Sequence, residues 1–70
     1  MNISIGRCLL QYWLDQREMS QAEFARRSGI SERMISYYCS GRKKMTVRSL
    51  ILASLVLDVP MDQFYEYTLE

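Results

Sequence analysis

Seventy residues make one small domain, and a core of that size is marginal unless something else supports it. With no histidine, and with Cys8 and Cys39 far apart and outside any CxxC pair, the chain has no metal-ligand spacing and no disulfide framework. The net charge of +1 hides a strong asymmetry: residues 26–48 hold seven cations (Arg26, Arg27, Arg33, Arg42, Lys43, Lys44, Arg48) against Glu32 alone, while the rest sets Arg7 and Arg17 against seven acids. A basic middle between acidic ends suggests a face built for an anion, although a solvated mixed surface is the plainer alternative.

No signal peptide is evident. The apolar run from Leu50 to Val59 is too short to span a bilayer and is broken by Ser54 and Asp58. The expectation is a cytoplasmic protein with no membrane partner. The two cysteines read as reduced, small apolar residues.

Strand alternation is not evident, and the pattern reads as all-helical. The first helix is expected over about residues 4–17, with Leu9, Leu10, Trp13 and Leu14 forming one apolar stripe. Ser20 opens the second, residues 21–28. Glu23 completes a capping box and Met19 and Phe24 stand at the staple positions. Gly29, able to turn left-handed, ends it.

Ser31 caps a third helix, residues 32–40, with Ile35, Tyr38 and Cys39 on one face and Glu32, Arg33, Ser36, Tyr37 and Ser40 on the other. Gly41 stops it and Arg42, Lys43 and Lys44 follow. Thr46 caps a fourth helix, residues 47–57. Pro60 precedes an expected fifth, residues 61–68, with Asp62 in its first turn. Two short helices joined at Gly29 have helix-turn-helix geometry, which also occurs in proteins that never touch DNA.

The ordered set SQAEFARRSGISERMIS, then SG, then RKK, then LVLDVPMDQF resembles the Cro and phage-repressor helix-turn-helix family, also called XRE-like or lambda-repressor-like, over roughly residues 5–65. The resemblance implies an all-α, five-helix DNA-binding domain, bacterial or phage-encoded, with the helix-turn-helix formed by helices two and three. It implies that the third helix enters the major groove of double-stranded DNA. Carried over by position, Gln21 donates to a phosphate, and Ser31, the cap of the reading helix, belongs to the DNA-binding set. Glu32, Arg33 and Tyr37 face the bases, with Met34 and Ser36 at the edge. Arg42, Lys43 and Lys44 lie along the backbone. Arg33 suits guanine O6 and N7, and Glu32 suits cytosine N4.

The sequence departs from the family in three places. A buried arginine–glutamate pair common in the family falls here on Leu14 and Cys39. Loss of both charges together strands neither, so Cys39 is expected to pack as a small hydrophobe between helices one and three. The Ile-Gly that often opens the first helix is displaced by one residue, as Ile5-Gly6. The fourth helix is apolar almost all round, which argues for burial by a partner. A homodimer is expected through Leu52, Leu55, Val56, Tyr65 and Tyr67, with a regulatory protein as another possible occupant.

The leading expectation is a sequence-specific transcriptional regulator, of repressor type, on a near-palindromic operator. The alternative is a protein-interaction module, an antirepressor or adaptor, using helices four and five. No nucleophile–base pair or cofactor motif is present, so neither an enzyme nor a cofactor is expected.

Overall fold

A computed structural model describes residues 1–70. The chain runs through strand β1 (Ile3–Cys8) and helices α1 (Leu10–Gln16), α2 (Gln21–Ser28), α3 (Glu32–Ser40) and α4 (Val47–Leu57). A single 3-10 turn (Met61–Gln63) then leads into strand β2 (Tyr65–Leu69), which pairs antiparallel with β1.

Three helices begin where the side-chain chemistry places them. Ser20, Ser31 and Thr46 each accept the backbone N–H three residues on, from Glu23, Met34 and Ser49. Gly29 and Gly41 end α2 and α3 in the left-handed region, at φ of 79° and 81°. Asp58 takes the same conformation after α4.

The core gathers one or two side chains from each helix: Leu10 and Leu14, Phe24, Ile35 and Tyr38, Ala53 and Leu57. Ile30, Met45, Val59 and Phe64 plug it from the connections. Met19 packs against the same cluster as Phe24, and Ile30 and Ile35 are both buried. Burying a leucine or phenylalanine contributes about 1.5–3 kcal/mol, and these contacts fasten α2 to α3.

The all-α, five-helix expectation is wrong at both ends of the chain. Residues 3–8 form a strand rather than the start of α1, and residues 65–69 form a strand rather than a fifth helix. The cause is tertiary. The two ends lie side by side, with Ile3 opposite Leu69, Ser4 opposite Thr68 and Ile5 opposite Tyr67. Backbone groups that a helix would satisfy locally are satisfied across the pair, as where Asn2 and Glu70 exchange N–H···O bonds of 3.1 and 2.8 Å. Tyr65, Tyr67 and Leu69 alternate with Glu66 and Thr68, a period of two that suits a strand. A bulge between Ile5 and Cys8 contains Gly6, where a Cβ would stand 3.3 Å from Glu66 Cβ.

The sheet is tied to the helices at its inner end. Leu9 N–H donates to Phe64 O at 2.7 Å, and Met45 N–H donates to the Tyr65 hydroxyl at 2.8 Å. Arg17, at the end of α1, ties that helix to the end of α4. Its Nε donates to Leu57 O at 2.8 Å, at the C-terminal end of α4, while its guanidinium stacks 5.3 Å from the Trp13 ring.

Candidate nucleic-acid interface

The turn between α2 and α3 spans only Gly29, Ile30 and Ser31. Buried Ser28 accepts Ile30 N–H at 3.1 Å, and the Ile30 side chain enters the core, so the turn is pinned from inside. The start of α3 is thereby presented outward. Ser31, Glu32, Arg33 and Ser36 are exposed, Met34 and Tyr37 are half-buried, and Ile35 and Tyr38 face inward. All the α3 residues expected to contact DNA therefore lie on the outer face or its margins.

At the far end of α3, Gly41 turns the chain so that Arg42 N–H and Lys43 N–H both donate to Tyr37 O, at 2.9 and 3.3 Å. The same turn lays two cations over the Tyr37 ring, the Arg42 guanidinium at 5.6 Å and the Lys43 ammonium at 5.7 Å from its centre. Such contacts are worth roughly 0.5–1 kcal/mol each when exposed. Tyr37 thus links the α3 face to the basic turn. Lys44 is exposed beside them.

Gln21, at the start of α2, is half-buried and held from α1. Its Nε2 donates to Gln11 Oε1 at 2.7 Å, and Gln11 donates in turn to Asp15 at 2.9 Å. A side-chain amide has two N–H groups, so this leaves one for an incoming phosphate.

The cations of the basic middle divide into two kinds. Glu23, expected to complete the capping box, instead takes Arg26 and Arg27, the latter at 2.7 Å. Those bonds, Arg27 first, hold its carboxyl below the usual carboxylate range. Arg33, Arg42, Lys43, Lys44 and Arg48 are exposed and have no carboxylate partner.

Two further cations stand outside the expected contact set, Arg48 from the basic middle and Arg7 from the N-terminal end. Arg48 sits on the first turn of α4, exposed. Arg7, brought in by β1, lines one shallow pocket with Lys43 and Lys44, although its guanidinium also lies 3.5 Å from Glu66. Arg7 could have been found only by recognising the strand.

Cys8 and Cys39 line the same pocket as half-buried free thiols. Burial pushes the Cys39 thiol up to about 11. Cys39 packs against the core cluster that contains Leu14, in keeping with an apolar role for both residues.

The residues expected at a partner interface are dispersed. Leu55 and Tyr67 are exposed, Leu52 and Val56 are half-buried against the core, and Tyr65 is half-buried with its hydroxyl on Met45 N–H.

Compared with known families, residues 10–64 match the helix-turn-helix profile of the XRE, Cro and lambda-repressor type. The chain belongs to this helix-turn-helix family. The match takes in α1 to α4 and the 3-10 turn, and leaves β1 and β2 outside it. A search of curated proteins gave no match. The family is one of DNA-binding regulators rather than enzymes. No helix is long and apolar enough to cross a membrane.

Proposed function

We propose that the chain is a sequence-specific transcriptional regulator of repressor type that reads a near-palindromic operator as a dimer. The observation that carries this reading is the continuous outer surface of α3 and its basic turn. Glu32 and Arg33 are exposed at one end, and Arg42 and Lys43 are stacked on Tyr37 at the other. Arg33 forks to guanine O6 and N7, a contact worth about 1–3 kcal/mol of discrimination. Glu32 accepts from cytosine N4, and it specifies more than it binds because it repels phosphate. Gln21, Arg42, Lys43 and Lys44 grip the backbone, and Ser31 holds the helix start that approaches the groove. A two-fold dimer places two such helices about 34 Å apart, one turn of DNA, and a repressor so placed over a promoter excludes polymerase.

A second reading, an interaction module, draws on one observation: Val47, Ile51 and Leu55 form an exposed apolar file along α4. Selection of bound duplexes from a random pool, near physiological salt, separates the two. Specific binders exceed their nonspecific affinity by roughly 10³–10⁷-fold, so a reader of sequence enriches a motif clearly. A palindromic motif supports the full reading. Failure of the folded protein to enrich any motif favours the module. Arg33→Ala should relax preference at one position of each half-site and leave the others intact.

A further inference from the structure

The β1–β2 sheet has two unlike faces. Ser4, Thr68 and the Arg7–Glu66 pair make one polar. The other carries Ile3, Ile5, Tyr67 and Leu69 in two directly opposed cross-strand pairs, with Met61 beside them. All five are exposed, from 38 % for Met61 to 58 % for Leu69.

Three considerations identify what covers this face. The groove over it holds Asp62 and no cation, so it has nothing for phosphate or nucleic acid. A two-stranded sheet with both faces in water is marginal, and needs a third strand or a packed layer to be secure. The five side chains offer on the order of 500 Å², more than half of the roughly 800 Å² that each partner contributes to a standard interface. The exposed file on α4 is only three residues, one residue wide.

We infer that this apolar sheet face packs against the same face of a second copy. Two antiparallel strands with matched pairs present a nearly self-complementary surface, as an isologous contact requires. Face-to-face sheets pack about 10 Å apart, a distance that aliphatic and aromatic side chains fill. The inference rests on the dimeric reading above and names its surface. Both strands lie outside the segment that the family shares, so the surface is an addition to the helix-turn-helix body.

Sedimentation equilibrium on the whole chain tests it, with three proteins: wild type, Ile5→Thr/Tyr67→Thr, and Leu55→Ser. Threonine keeps strand propensity while removing apolar area. The expected result is a wild-type dimer at tens of micromolar. The sheet variant should raise the dimer Kd at least about tenfold, a loss near 1.4 kcal/mol, and Leu55→Ser should leave it unchanged. Far-UV circular dichroism confirms that the helices persist. If the double variant loses them, the milder Ile3→Thr gives the same readout. A monomeric wild type, a sheet variant that associates as tightly as wild type, or a dimer dissolved by Leu55→Ser would each overturn the inference. Binding to the selected duplex is read separately. A dimer that binds no duplex sinks the regulator reading and leaves this surface standing, and a monomer that reads DNA does the reverse.

Discussion

Replacing Lys43 and Lys44 together with alanine tests the basic turn as a phosphate clamp. Of the nine cations, Arg26 and Arg27 are held by Glu23, Arg7 lies beside Glu66, and Arg17 is spent on the carbonyls ending α4. That leaves Arg33, Arg48 and the three cations of the basic turn, Arg42, Lys43 and Lys44; in the proposed docking the turn meets the phosphates and Arg33 a base. Each neutralised phosphate contributes about −0.9 to the slope of log K against log salt, so three contribute about −2.7 per protomer and the double variant keeps about −0.9. Between 50 and 200 mM salt the wild-type affinity should therefore fall roughly 40-fold per protomer, and the variant's only three- to fourfold. Fluorescence anisotropy of a labelled duplex over that salt range measures both. Tyr37→Ala supplies the control: it removes the ring under Arg42 and Lys43 but no charge. Affinity should drop about tenfold, from roughly 0.5–1 kcal/mol per stacked cation, at an unchanged slope. Equal slopes for wild type and the lysine variant would refute the clamp.

Four further predictions concern the scaffold. In a Cys8→Ser background, Cys39 should react with a thiol reagent at pH 7.4 about a hundredfold more slowly than in denaturant, because a shift from 9.0 to about 11 cuts the thiolate fraction by that factor; equal rates would mean that the thiol is not packed. The same shift makes stability pH-dependent: the unfolded chain loses this proton first, so stability is fully present below pH 9 and declines as pH rises towards 11. Arg17→Ala removes the charged donor to Leu57 O and should cost about 1 kcal/mol, lowering Tm by roughly 4–8 °C, with DNA affinity unchanged where the fold is intact. Tyr38→Phe breaks the buried 2.9 Å bond to Ser49 Oγ and should cost a similar amount, about 1 kcal/mol by thermal melt.

The parts of the fold legible in the sequence are those decided within a few residues. Ser20, Ser31 and Thr46 cap because a short hydroxyl reaches the third N–H ahead, whatever else the chain does. Gly29 and Gly41 end helices because only glycine turns left-handed without penalty. The strands were illegible because their hydrogen bonds come from the opposite end of the chain, from Ile3 opposite Leu69 to Cys8 opposite Tyr65. The alternation in Tyr65–Leu69 is short, and Pro60 and Asp62 ahead of it imitate a helix start. In place of a helix, the chain closes one 3-10 turn and pairs with β1.

The fourth helix shows a different limit. It is apolar on nearly every side, so its pattern marks no buried face. The side that packs inward is Ser49, Ala53 and Leu57, two of them small, which lets neighbouring elements approach closely. Val47, Ile51 and Leu55 are left outside, and of these only Leu55 was expected to be a contact residue. The candidate DNA surface was more legible for a physical reason. A helix with one side in water carries polar groups away from its core, so α3 announces its inward face with Ile35 and Tyr38 and its outward face with Arg33 and Ser36. Charge alone did not do this. Arg26 and Arg27 look as available as Lys43 and Lys44 until Glu23 is seen to hold them, and it does so because the three lie at i, i+3 and i+4 on one turn of α2. That spacing is legible in the sequence, and it turns a count of seven cations into five that can meet a phosphate or a base.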